Sequence, residues 1–228
     1  MKKKLHFLLI GFCVFLMFSC NEESSYSAKQ KSECQLYYNT FLNEFMSLDK
    51  NIDIQLTADS IRLKYGALYP ELFETVVASP NFRYSLDVDG YNTQSIVEIV
   101  SELYDSDISK TIAKKIVVST LEGYLDIDNL LATLSTNELT TRENLRLSWL
   151  LAYCGTLLNI ENTEGIIETK GKFDDCYSRY LRDVSRARER AMLTAAGGLF
   201  SPVAAVIAIV GYQTDLETAD DDFYECAK

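Results

Sequence analysis

Asp87, Asp89 and Glu98 stand at the spacing that a calcium-binding helix–loop–helix uses for the outer ligands of its loop. The interior of that loop fails. Tyr91 takes a ligand position, Asn92 replaces the glycine that the sharp turn needs, and Gln94 replaces the apolar anchor. A helix-capping turn is the better account, and no metal is expected. A second stretch, Gly165 to Lys172 (GIIETKGK), approaches a phosphate loop. It holds five residues between its glycines instead of four, and Phe173 stands where Ser or Thr would bind magnesium. The chain carries 33 Asp and Glu residues, but nothing in their spacing selects an acid/base pair. Its 14 tyrosines are scattered through the helical segments, which suits core and rim packing better than one ligand surface. No G-x-S-x-G, C-x-x-C or G-x-G-x-x-G motif occurs, so neither a catalytic residue nor a cofactor site is expected.

The residues that carry a recognisable chemistry lie at the start, MKKKLHFLLIGFCVFLMFSC. Lys2, Lys3 and Lys4 precede an apolar run from Leu5 to Phe18, too short to span a bilayer comfortably and the right length for a secretory core. Ser19 stands directly before Cys20, and a polar tail follows. This order resembles the lipobox signal of bacterial lipoproteins, with Met17 and Phe18 where Leu and a small residue are commoner. The resemblance covers only residues 1 to 30, and for the rest of the chain no family is recognised. It implies removal of residues 1–19 and acylation of Cys20, the lipidation site. It also implies attachment to the envelope of a bacterial cell, at the outer membrane, through the lipid. It transfers no activity.

Cleavage there changes the chemistry that remains. His6 is the only histidine and leaves with the signal, which removes imidazole bases, Ser-His and Cys-His pairs, and His-bound zinc. Loss of the three lysines takes the net charge from −11 to −14. A chain so acidic is repelled by phosphate, so nucleic acid is not an expected partner. Nor does the sequence identify a small-molecule ligand. The expected partners are the membrane, through the anchor, and another envelope protein.

Beyond Cys20 stand Cys34, Cys154, Cys176 and Cys226, an even number in an exported chain and hence two expected disulfides with three possible connectivities. Geometry favours Cys176 with Cys226. In two antiparallel helices, facing residue numbers share one midpoint, and for this pair the midpoint is Ser201. Ser201 lies between Gly197-Gly198 and Pro202, where breaker residues already demand a turn. The same register sets Arg182 beside Asp220, Arg179 near Asp222 and Arg186 near Asp215, as charge pairs flanking the cysteine seam. Cys34 with Cys154 then follows by elimination, both lying on apolar helix faces.

The elements that must hold these residues read as helical throughout. Cys34, Leu36, Tyr37, Phe41, Phe45 and Leu48 recur at helical spacing. Thr57 is expected to cap a second helix that Gly66 stops. Pro70 suits the first turn of a third, residues 71–79, and residues 82–88 are the one candidate strand. Asn92 or Thr93 caps a helix whose stripe is Ile96, Val97, Ile99, Val100, Leu103 and Tyr104, and Asp107 opens another that closes near Gly123. Thr140 and Glu143 form a capping-box pair before the helix that holds Trp149. Residues 191–212 then run 22 positions without a charge, broken near the middle, and read as the apolar arms of a hairpin. Leu199, Phe200, Pro202 and Val203 form its tip.

The fold class is therefore all-α. Residues 1–19 are the signal, 20–30 a tether, 31–160 a helical body, 161–172 a connector, and 173–228 the hairpin. The function class expected first is a non-catalytic binding or structural lipoprotein, a class that includes immunity proteins acting at the envelope. The alternative is a membrane-active or pore-forming effector that inserts the apolar hairpin 191–212. An enzyme using carboxylates and tyrosines alone ranks third.

Overall fold

A computed structural model describes residues 33–66, 92–164, 174–198 and 200–228. The signal, Cys20, the loop residues 87–91, the candidate strand, the helix expected at 71–79 and the stretch 165–172 lie outside the described residues. Those described are all-helical, with no strand among them. The helices are α1 (33–46), α2 (Ile54–Gly66), α3 (Thr93–Ser101), α4 (Asp107–Leu121), α5 (Ile127–Thr136), α6 (Thr141–Glu164), α7 (Asp174–Gly197) and α8 (Pro202–Cys226).

Side chains set most of the helix starts. The carboxylate of Asp53 accepts the Leu56 N–H at 2.9 Å, so α2 begins earlier than a Thr57 cap would allow. Asn92 caps α3 through the Ser95 N–H at 2.9 Å, as its position suggested. Ser106 and Ser109 cap α4 reciprocally. Asp126 caps α5, a helix the sequence reading passed over. At α6 the expected capping box forms, with the Thr140 N–H on Glu143 at 2.9 Å and the Glu143 N–H on the Thr140 hydroxyl at 3.2 Å. Ser201 caps α8 ahead of Pro202.

Helix α6 is the centre of the fold. Every residue from Leu147 to Leu157 is buried, so it presents no solvent face over three turns. Trp149 meets Phe41 and Phe45 of α1 edge-on, with ring centroids 4.9 and 4.6 Å apart. On another side Tyr153 meets Phe200 at 5.5 Å and donates its hydroxyl to the Ala191 carbonyl at 2.9 Å. These contacts order the neighbours: α1 runs parallel to α6, and α7 and α8 fold against it as an antiparallel pair.

That pair is the expected hairpin. It turns between Gly197 and Pro202, within a few residues of the anticipated Ser201, and Cys176 and Cys226 are joined by a disulfide with Cα atoms 5.8 Å apart. Gly198 makes the turn possible, because a Cβ on it would lie 2.2 Å from the Cβ of Ala204. The hairpin is not a separate unit. Val206, Ala208, Ile209 and Tyr212 belong to the same continuous core as Phe41 and Trp149. The boundary expected at 160 moves as well, since residues 161–164 continue α6.

Candidate functional site

The most concentrated chemistry lies where the ends of α4 and α6 meet the hairpin. Helix α4 stops at Gly123, whose φ of +79° is open to glycine and strained for other residues. The Tyr124 N–H returns to the Ser119 carbonyl and the Gly123 N–H to Thr120, a Schellman closure. The carbonyls of Thr120 and Leu121 at this end also accept from a side chain. Arg188 of α7 reaches them, donating from Nη1 to Thr120 at 3.0 Å and to Leu121 at 2.9 Å. A cation suits the negative end of a helix. Gly123 also leaves room for it, since a Cβ there would stand 3.0 Å from Arg188 Nη1.

The other edge of the guanidinium faces Glu161 of α6, with Nε 2.8 Å from Oε1 and both side chains 11% exposed. The Nε–H is not aimed along that contact, which is a charge pairing and not an aligned hydrogen bond. Tyr212 of α8, fully buried, donates its hydroxyl to the same carboxylate oxygen. Burial pushes Glu161 above the usual carboxylate range, against the pull of Arg188 and Tyr212. Burial, followed by the charge of Glu161, drives the Tyr212 phenol upward, which keeps it a neutral donor. Three chemically capable groups thus converge, and each is occupied by the others. The arrangement works as a clamp on four helices. Removing one member of such a pair leaves a buried charge without its partner.

A second polar knot joins the starts of α4 and α6. One oxygen of Glu143 accepts from the Ser106 hydroxyl, and the other accepts from the N–H and hydroxyl of Thr140, both at 2.9 Å. Burial works to raise the Glu143 carboxyl, but the hydrogen bonds from Ser106 and Thr140 outweigh it and hold the group below its ordinary value. Nearby, Arg146 donates to the Leu103 carbonyl, lies 3.7 Å from Asp105 and covers the Tyr104 ring.

The expected charge register of the hairpin is corrected by the structure. Asp215 pairs with Arg190 at 2.6 Å, not with Arg186. Asp220 accepts from Tyr180 and not from Arg182, which lies 3.9 Å from its own neighbour Asp183. Arg179, Arg182 and Arg186 are exposed, as is Asp222. The cause is rotational: Tyr180, Val184, Ala187 and Ala191 occupy the seam, and the three arginines fall on the outer surface of α7.

The expected Cys34–Cys154 bond is also corrected. Both are buried free thiols. The Cys34 sulfur lies 3.8 Å from Asn144 near the start of α6, while Cys154 sits ten residues further along that helix, about 15 Å of rise. A disulfide spans only about 4.4–6.8 Å between Cα atoms.

The apolar tip packs inward. Phe200 and Pro202 are buried and Val203 is half-buried, while Leu199 lies outside the described residues. Trp149 donates its indole N–H to the Phe200 carbonyl at 2.9 Å. No described helix is long and apolar enough to cross a membrane. Among the described residues no group of three or more His, Cys, Asp or Glu side chains is placed to hold a metal ion.

Glu161, Arg188 and Tyr212 were not anticipated as a group. One signal did exist: Arg188 stands in line with Val184, Ala191 and Ala195 at spacings of four, three and four, a cation within an apolar stripe. No protein-family model, no curated protein and no solved structure matches this chain.

Proposed function

We propose that this chain is a lipoprotein anchored through acylated Cys20 to a bacterial envelope membrane, whose helical domain is a non-catalytic binding or structural module. The observation that carries the anchor is the order of basic residues, apolar run, Ser19 and Cys20. The non-catalytic part is supported by how the buried polar groups are used. Glu161, Arg188 and Tyr212 hold one another and a helix end, and Glu143 caps two helices. The uncharged stretch 191–212 favours a membrane-active hairpin as the second reading. Against it, that stretch supplies the core around Trp149, and its withdrawal would expose a large apolar area of α6 to water.

Replacing Cys20 with Ala tests the anchor. The variant should leave the membrane fraction or stay unprocessed, and a processed variant that still sediments with membranes would overturn the reading. Pull-down from intact envelopes with the anchored protein tests the binding role. Leakage from liposomes treated with the folded protein would favour the second reading instead.

A further inference from the structure

The fold sorts its four described cysteines into one bond at the surface and two thiols shut inside. Cys34 and Cys154 are 1% and 0% exposed. Burial pushes the first up to about 11 and the second to about 12, so neither supplies thiolate at neutral pH. The Cys176–Cys226 bond is different on both counts, and its two sulfurs differ from each other. Cys226 closes α8 and is exposed, whereas Cys176 sits in the first turn of α7, half-buried against the core. A thiolate that opens a disulfide approaches along the sulfur–sulfur axis from behind the atom it strikes, so access decides which sulfur is attacked. Cys226 is the open one.

The leaving group points the same way. A thiolate released at Cys176 lies in the first turn of α7, at the positive end of the helix dipole, which favours negative charge, and exposed Asp175 offsets part of that. A thiolate released at Cys226 would face the carbonyl end of α8 with exposed Asp222 and Glu225 on the same turn. The better leaving sulfur is Cys176.

We propose that Cys176–Cys226 is an exchange-competent disulfide, made and opened through Cys226 by a thiol–disulfide oxidoreductase. In opening, a thiolate of that enzyme bonds to the Cys226 sulfur as the Cys176–Cys226 bond breaks. The electron pair leaves on the Cys176 sulfur, which takes up a proton. The enzyme's second thiolate then attacks its own sulfur in the mixed disulfide and releases Cys226 as a thiol. Two enzyme thiols become a disulfide while this bond becomes two thiols, and closing runs the same steps in reverse. Opening releases the far end of the hairpin, where Tyr180 and Phe223 pack at 5.8 Å, while the Trp149–Phe200 contact still holds the tip.

The test treats the intact native chain with reduced glutathione, quenches with acid, alkylates free thiols and maps each cysteine by peptide mass spectrometry. Glutathione should be found on Cys226, with Cys176 alkylated, in at least about tenfold excess over the reverse adduct. Cys34 and Cys154 should stay unmodified until denaturant is added. Equal adducts, or adducts mainly on Cys176, overturn the assignment of Cys226. A bond that survives glutathione levels sufficient to open it in the denatured chain overturns its exchange competence. An oxidoreductase lacking its resolving cysteine is the second probe: it should be trapped on Cys226, and failure to trap it while glutathione reacts excludes the enzymatic route.

Discussion

Trp149 and Phe200 lie 51 positions apart, and the indole N–H of one meets the main-chain carbonyl of the other at 2.9 Å. Phe200 has a φ of +54°, and its own N–H returns to Ala195 at 2.7 Å. The turn is thus held from both sides by groups with no access to water. Trp149→Phe keeps an aromatic ring and removes the donor. It should cost about 1–3 kcal/mol through the orphaned carbonyl, read as a lower midpoint in urea. A midpoint within error of the wild type would show that the carbonyl finds another partner.

Glu161 and Arg188 should behave asymmetrically. Arg188→Met leaves a carboxylate buried at the junction and should cost about 3–5 kcal/mol. Glu161→Gln retains the shape and removes the titration. The folded Glu161 carboxyl lies above its unfolded value, so its favourable contribution is fully present below the unfolded value. That contribution is lost as pH rises through the folded one. The stability of wild type relative to Glu161→Gln should therefore fall as pH is raised from about 4 toward neutrality. A difference that grows with pH would contradict the upward shift.

Glu143 should show the opposite sign. Its folded value is depressed, so its contribution is present above the unfolded value and is lost as pH falls through the folded one. Glu143→Gln should cost about 0.5–2 kcal/mol at neutral pH for each weakened cap. The gap from wild type should close in acid, and thermal melts at several pH values would read it directly.

Gly198→Ala should be among the more damaging single changes in the hairpin. The added methyl would meet the Ala204 Cβ at 2.2 Å, and neither atom belongs to a flexible chain that could swing away. Overpacking of this kind costs about 1–3 kcal/mol. If the melting temperature holds, the two arms separate at their turn more easily than their packing implies.

Thr194→Val should stabilise the protein. The Thr194 hydroxyl is buried without a hydrogen-bond partner, and Val keeps the shape. Relief of one unsatisfied buried hydroxyl is worth about 1 kcal/mol. Calorimetry showing a loss of stability would mean that the hydroxyl has a partner, such as a buried water.

The hairpin was legible because two independent signals agreed: the cysteine midpoint fell on Ser201, and the breakers at Gly197, Gly198 and Pro202 surrounded it. Local caps at Asn92 and Thr140 were legible for a similar reason, since their partners lie three residues away. What failed depended on how helices rotate about their axes. Register alone paired Arg186 with Asp215, but the facing position is decided by which residues fill the seam, and Arg190 is the one at its edge. Elimination paired Cys34 with Cys154 without knowing that α1 runs parallel to α6 and meets it near Asn144. The junction of Glu161, Arg188 and Tyr212 joins three helices and the end of a fourth, and no window of the sequence contains it.

That junction also dictates when the chain can fold. Arg188 reaches back 67 and 68 positions to the end of α4, and Tyr212 reaches back 51 to α6. Helix α6 therefore has no complete covering until α8 has been synthesised, and until then a helix buried on every side from Leu147 to Leu157 is only partly covered. Contacts so distant in sequence are slow to close. An intermediate lacking α8 should stay open and depend on holdase chaperones, and cooperative folding should begin only once α8 is present.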